Sequence, residues 1–332
     1  MSEISRPLIA TVTPNPAWDV TYEVPALVPG EVHRVTRVHR RLGGKGVNAA
    51  RVLHAVGHDA VAIIPGPDGL AAEAGLPEAS PDAPTDQASH AASPWLACDV
   101  VPGLPVIRQT LVVQGNDGIT TSLWEPGSTA GHGTGSALSD RVAAWLGPRG
   151  LARGLVVSGS LPPGLDARLP ARLAALAVGA GVPAVIDTSG EGLRHAASAP
   201  GVVLTPNAAE LGQLTGRDCH DLAEATSAAR SVLAGGPEAV VVTLGADGLV
   251  AVTRNGAWHG RLAESLEGNP TGAGDAAAAA LIAGLAAAAD WPRIVASAVA
   301  TSAAAVLSPI AGDVAPADVA RLSQHVIVRE VA

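Results

Sequence analysis

Phenylalanine is absent from the 332 residues and tyrosine occurs once. Large aromatic rings therefore do not build the core. Alanine, valine and leucine supply most of the apolar mass, and small aliphatic side chains suit parallel strands buried under helices. Cysteine is scarce: Cys98 and Cys219 have no metal-ligand spacing, so a reduced, cytosolic setting is expected. Basic residues are in deficit, with 21 Lys and Arg against 30 Asp and Glu and a formal charge of −9. A nucleic-acid surface needs a basic footprint, so that class is excluded, although a local basic pocket is not. No run is long and apolar enough to cross a bilayer, because the Ala-rich stretch before Asp290 is short and only weakly apolar. The opening MSEISRPLIATVTPN has no signal-like apolar core and reads as mature, soluble protein. A Walker GxxxxGK[ST] loop, an internal repeat and an interdomain linker are all missing.

What is present centres on NPTGAGDAAAAALIAGLAAAA, residues 269–289. Gly272 and Gly274 permit tight turns, and the Ala/Leu run that follows is a strong helix former. Thr271-Gly272-Ala273-Gly274 is thus expected at a helix N-terminus, where free N–H groups favour an anion. Asp275, in the first turn, is either a capping residue or a base beside that anion site.

Earlier in the chain, Leu8–Val12 reads as a buried strand, followed by a turn, TPNPAWD, that includes Asp19. A carboxylate there either closes the turn or binds a ligand at the strand end. Residues 20–38 read as one or two exposed strands, and Arg34, Arg37, Arg40 and Arg41 as a solvated basic face. LGGKGVN, with Gly43, Gly44, Lys45 and Asn48, opens a helix ending at Gly57 and suits a polyhydroxy or phosphorylated ligand. Residues 61–64 are the next strand. Residues 65–105 show little periodicity, with a short helix expected at 70–74 and an edge strand at 98–101. Residues 106–113 and 119–124 form a hairpin around Gly115-Asn116-Asp117-Gly118. Arg108, in its first strand, is either a surface residue or a phosphate fork.

From residue 137 onward strands and helices alternate. Polar turns follow the strand ends: GSLPPG, TSG, PNAAE and GADG. Alternation of this kind implies a parallel sheet with right-handed crossovers, and such sheets bind ligands at strand C-terminal ends.

The ordered set TPNPAWD, GGKGVNAARVL, VSGSLPPG, DTSGEGL, PNAAEL, TLGADG and PTGAGD resembles the PfkB (ribokinase-like) carbohydrate kinase family, in its 1-phosphofructokinase/tagatose-6-phosphate kinase branch, over nearly the whole chain. The resemblance implies a single α/β kinase domain, 1–332. Its three layers would enclose a mostly parallel central sheet, with a small β-sheet lid from about 20–38 and 104–125. Asp275 would be the catalytic base, and Gly272, Ala273 and Gly274 the anion hole. Asp19, Gly43, Gly44 and Asn48 would bind sugar hydroxyls. Lys45, Arg108 and Ser160 would lie near the substrate's own phosphate. Asn207, Thr243, Gly245 and Gly248 would serve the nucleotide, and Glu210 would reach Mg²⁺ through water. The implied activity uses ATP and Mg²⁺ to phosphorylate fructose 1-phosphate. Tagatose 6-phosphate, fructose 6-phosphate or a cyclitol phosphate are the alternative acceptors, and a non-catalytic phosphosugar-binding protein is the alternative class. Members of this kind pair through their lids, so a cytoplasmic homodimer without nucleic-acid or membrane partners is expected. Three departures fall near the pocket. Thr205 stands where the branch carries Lys, Thr110 where it carries Asn, and PGPDG replaces an Asp, Gly and Lys cluster.

Overall fold

The computed structural model describes residues 7–81, 95–116, 118–147, 151–264, 266–308, 310 and 312–331. Residues 1–6, Asp117 and the middle of the poorly periodic 65–105 stretch lie outside the described residues. The chain opens with β1 (Leu8–Val12), β2 (Ala17–Val24), β3 (Arg37–Gly43), α1 (Lys45–Ala55), β4 (Asp59–Gly66), α2 (Leu70–Glu73) and β5 (Leu96–Pro102). The hairpin β6 (Arg108–Gly115) and β7 (Thr120–Trp124) follows. The alternating part comprises α3 (Thr134–Leu146), β8 (Ala152–Ser158), α4 (Leu169–Gly179), β9 (Ala184–Asp187), α5 (Gly190–Ala196), β10 (Val203–Leu204), α6 (Ala208–Thr215) and α7 (Leu222–Leu233). The chain closes with β11 (Ala239–Thr243), β12 (Leu249–Thr253), β13 (Gly256–Leu262), α8 (Ala273–Ala286), α9 (Trp291–Val306), α10 (Pro316–Ser323) and β14 (Val326–Val331).

Ten strands form one sheet in the order β14-β13-β12-β11-β10-β9-β8-β1-β4-β5. The strands from β5 to β11 are parallel, whereas β12, β13 and β14 are antiparallel additions. Because successive strand residues face opposite sides, the sheet splits the core in two. Ile9, Ala60, Ala62 and Ile64 face the side of α1, α8 and α9; Leu8, Ala10, Val61 and Ile63 face the side of α3, α4 and α7. This is the three-layer α/β/α arrangement that the resemblance implies, around the parallel sheet expected from the alternating pattern.

Four strands, β3-β2-β6-β7, make the separate small sheet. The hairpin forms as the Gly/Asn turn requires. The 20–38 segment expected as one or two strands is two, Ala17–Val24 and Arg37–Gly43. The first begins earlier than expected because the turn after β1 ends at Pro16, and the second runs on to Gly43. Asp19 is therefore a strand residue and not part of the turn. The basic face is exposed at Arg34, Arg37 and Arg40, while Arg41 is half-buried. Arg40 lies over the Trp18 ring, 3.8 Å from its centroid, and pairs with Glu73, while Arg41 pairs with Asp313 at 2.6 Å.

Strand order reverses about β1, which has β4 on one side and β8 on the other. Turns at such a switch point open a crevice. The two turns there are residues 13–16 after β1 and 159–164 after β8. Helix α8 lies close to β8 because Gly154 has no side chain: a Cβ would meet Ile282 Cγ1 at 2.7 Å and Ile9 Cδ1 at 3.0 Å. Gly154→Val is therefore expected to lift α8 and cost about 1–3 kcal/mol, as overpacking does. Urea unfolding of the variant checks this, and an unchanged midpoint refutes the close approach.

Candidate active site

The N-terminus of α8 is built as its sequence suggests. Gly272 caps the helix in the left-handed region (φ 88°), and no side chain caps it. Asp275 is not the cap. It is 5% exposed, and its Oδ2 accepts a hydrogen bond from Asn48 Nδ2 at 3.1 Å. Burial pushes the Asp275 carboxyl up to about 7; Asp187 and Asp19 add to the rise, while Lys45 and the Asn48 hydrogen bond oppose it. The Ala273 N–H already donates to Pro270 O at 3.2 Å. The Gly272 and Gly274 N–H groups make no such main-chain hydrogen bond among the described residues.

The glycines of LGGKG bring α1, β1 and the lid together. A Cβ on Gly43 would run into the Asp19 carboxylate. Gly44, at φ 99°, is the residue before α1, and a Cβ there would meet Thr13 Cγ2 at 2.8 Å. Lys45 Nζ lies 3.2 Å from both carboxylate oxygens of Asp187. That carboxylate holds the Lys45 ammonium well above the usual lysine range. Ser158 also donates to Asp187 Oδ2, at 2.8 Å.

Across the lid, Arg41, Asp19, Thr110 and Trp124 form one cross-strand row, so their side chains share a face. The Thr110 hydroxyl donates to Asp19 Oδ1. Arg108 begins β6 and is anchored to main-chain oxygens, through Nε to Asn15 O (3.3 Å) and Nη1 to Glu125 O (2.9 Å). Burial lowers its pKa, without discharging a guanidinium. Ser160 is exposed and accepts from Asn15 Nδ2 at 3.3 Å.

Asn207 and Glu210 form a reciprocal capping box on α6: Asn207 Oδ1 accepts from Glu210 N–H, and Glu210 Oε2 from Asn207 N–H. Burial raises the Glu210 carboxyl. Thr243 bridges to Asn207 at the end of β11, and Gly245 and Gly248 take left-handed φ values of 62° and 84° in the following turn. A cavity of about 510 Å³ opens beside Asn207, Thr243 and Gly245, with Cys219, His220 and His259 on its other walls. Thr205 is buried and donates to Ile186 O at 3.3 Å.

Of the predicted residues, Ser160, Asn207, Thr243 and Gly245 lie at or just after strand C-terminal ends, Lys45, Asn48 and Asp275 in the first turns of α1 and α8, and Asp19 and Arg108 in the small sheet. Sequence reasoning missed Asp187, Asn15 and Asp313. Asp187 ends a strand that was read correctly, so the strand-end rule alone could have found it. Asp313 had no such signal.

The profile of the pfkB family of carbohydrate kinases matches residues 149–318. A 1-phosphofructokinase of Xanthomonas campestris pv. campestris is 36% identical over 284 residues, 84% of this chain and 83% of that protein. A 1-phosphofructokinase of Rhodobacter capsulatus is 37% identical over 280 residues, 82% of each. The structure of phosphofructokinase-2 from Escherichia coli in complex with fructose-6-phosphate superposes with a TM-score of 0.78 at 25% identity, covering 95% of this chain and 98% of that one.

The raised Asp275 pKa has a stability consequence. Its unfolded value is near 3.8, so the native state holds a proton that the unfolded state releases between about pH 4 and 7. The stability this group contributes is complete below about pH 3.8 and lost as pH rises through 7. Asp275→Asn should therefore be more stable than the wild type at pH 8, by about 2–4 kcal/mol, with the gap closing toward pH 4. Urea unfolding at both pH values tests the sign; a variant less stable at pH 8 would contradict it.

Proposed function

Because the chain belongs to the PfkB family of carbohydrate kinases, we propose that it transfers the γ-phosphoryl group of ATP to fructose 1-phosphate, giving fructose 1,6-bisphosphate. The observation that carries this reading is Asp275, a sealed carboxyl near neutrality at the uncapped start of α8. A general base works best with a pKa near the operating pH. The acceptor hydroxyl loses its proton to Asp275 as its oxygen bonds to the γ-phosphorus. The bond to the β–γ bridging oxygen breaks, and ADP leaves with that electron pair. The Gly272 and Gly274 N–H groups, with the helix dipole, stabilise charge on the group in transit.

On the acceptor side, Asp19, Gly43, Gly44 and Asn48 bind hydroxyls, and Lys45, Arg108 and Ser160 lie toward the existing phosphate. Asp187 and the main-chain oxygens around Arg108 fix two of these cations in advance, which lowers the ordering cost of binding. Asn207, Thr243, Gly245 and Gly248 serve ATP. Mg²⁺ would neutralise charge on its phosphates. Among the described residues no three His, Cys, Asp or Glu side chains group as a metal site, and one Glu210 oxygen is committed to Asn207. The free Glu210 Oε1 would be the protein's contribution to holding such an ion, through water, with the phosphates supplying the direct ligands.

The whole chain, 1–332, acts as one kinase domain with β3, β2, β6 and β7 as its lid. The lid leaves Trp124, Ile119 and Val38 more than half exposed, at 70%, 62% and 57%. Apolar exposure on one small sheet supports pairing with a second copy. The two free, buried cysteines suit the cytoplasm. Among the described residues no helix is long and apolar enough to cross a membrane. One observation favours a second acceptor, another phosphorylated ketose or a cyclitol phosphate: Thr110 already occupies one oxygen of Asp19.

Coupled ADP release with MgATP tests the reading across fructose 1-phosphate, fructose 6-phosphate, tagatose 6-phosphate, unphosphorylated ketoses and a phosphorylated cyclitol. Strong turnover of the first is expected; silence on all of them with ATP bound would sink the kinase assignment. Asp275→Asn should lower kcat by about 10²–10⁴-fold with ATP affinity nearly unchanged, and wild-type turnover would remove Asp275 as base. Arg108→Ala should raise KM for a phosphorylated acceptor about tenfold or more. An unchanged KM means that phosphate is not read there.

A further inference from the structure

The acceptor residues sit beside a charge that must be kept away from them. Arg41 and Asp19 are directly opposed on β3 and β2, which places their side chains on the same face. An Arg opposite an Asp ordinarily pairs with it. Here the Arg41 Nη1 instead donates to Asp313 Oδ1 at 2.6 Å, across 272 residues of chain. Its Nε and Nη2 are sheltered without a hydrogen-bond partner, so Asp313 is the anchor of a guanidinium only 20% exposed. A second cation adds to the demand. Arg51, on α1, has its pKa lowered first by burial, feels Arg41, Asp313 and also Asp19, and its own Nε is unpartnered. Its Nη2 donates to Leu42 O, next to Arg41.

We propose that Asp313 sequesters Arg41 and so keeps the Asp19 carboxylate free for the acceptor hydroxyl, which makes Asp313 a positioning residue for substrate specificity. A sheltered guanidinium that loses its carboxylate is strongly driven to another, and Asp19 is its cross-strand neighbour. Once paired with Arg41, Asp19 would lose the lone pairs that receive a hydroxyl proton. The same segment packs on the acceptor site directly. Gly312, at φ 76°, approaches Asn48 so closely that a Cβ there would lie 2.8 Å from Asn48 Oδ1. Asp313 is therefore held where residues 312–313 already touch the helix that positions Asp275. The inference rests on the reading of Asp19 as an acceptor ligand.

The test is steady-state kinetics with MgATP and fructose 1-phosphate on the full chain, comparing Asp313→Asn, Arg41→Gln, the double variant and Asp19→Asn. Asp313→Asn should raise the acceptor KM about tenfold while moving the ATP KM less than twofold. Arg41→Gln added to it should return the acceptor KM to near wild type, because the displaced cation is then gone. A purely structural tie between lid and body would not be rescued by a second loss, and its double variant would be as poor as the worse single one. An unchanged KM in Asp313→Asn, or a double variant no better than Asp313→Asn, overturns the proposal. Asp19→Asn separates the two layers. If it leaves the acceptor KM unchanged, the acceptor reading itself fails; if it raises KM while Asp313→Asn does not, only the sequestration fails. Asp313→Glu, which keeps the charge, should retain a near-wild-type KM and guards against a folding defect in the Asn variant.

Discussion

The hydrogen bond from Asn48 to Asp275 joins α1 to α8, and the geometry of the cleft depends on it. Each residue sits near the start of its helix, and each helix starts at a glycine turn that follows or precedes a lid or sheet element. A carboxylate this deeply buried would be protonated at neutral pH unless something favoured its charged form. Asn48 and Lys45 do so, against burial and the neighbouring Asp187 and Asp19. The balance leaves Asp275 poised near neutrality, where a proton can arrive and leave at little cost. Gly154 and Gly43 matter for the same reason: one lets α8 approach the sheet, and the other lets Asp19 approach α1.

Lys45 shows how the charges divide the work. Its ammonium is locked to Asp187 before any substrate arrives, so the pair presents little net charge. In the proposed reaction a phosphate entering nearby would compete with Asp187 for the ammonium. Arg108 differs, since its partners are neutral carbonyl oxygens. In the proposed reaction Arg108 therefore offers the acceptor's phosphate a full charge, and Lys45 offers a shared one.

Much of this was legible in sequence because glycine, proline and strand periodicity mark backbone events locally. β1, β9 and β12 lie where the apolar runs lie, and GADG, PNAAE and GAGD each mark the turn at a strand or helix end. Asp19 was placed in a turn because TPNP is turn chemistry, but nothing local says that the strand resumes at Ala17. β13 and β14 are not legible, because GAWHGRL and VIVREV are only partly buried and glycine or charge breaks their apolar runs, whereas LVAVT of β12 is apolar and buried throughout. Asn207 and Glu210 carry a double meaning that sequence does not separate, because a capping box and a nucleotide-side motif use the same two residues. Asp313 was invisible for a stronger reason. Its significance comes from Arg41, far away in sequence and opposite Asp19 only once the lid has folded.

The two sheets thus carry different parts of the proposed activity. Asp275, the Gly272 and Gly274 amides, Asn207 and Thr243 all belong to the large sheet and its helices, whose core is sealed on both faces. Changes there alter packing and chemistry together. Arg41, Asp19, Thr110 and Trp124 belong to one row of the small sheet, and Trp124 stands 70% exposed. Side chains in such a row can change with little effect on the core, because strand pairing is carried by the backbone. In the proposed reaction, Thr110 in contact with Asp19, together with an Arg41 held by Asp313, would set this chain's acceptor side apart from the phosphoryl-transfer groups of the large sheet. On that proposal the acceptor would be decided in the lid, by which groups leave the Asp19 oxygens free.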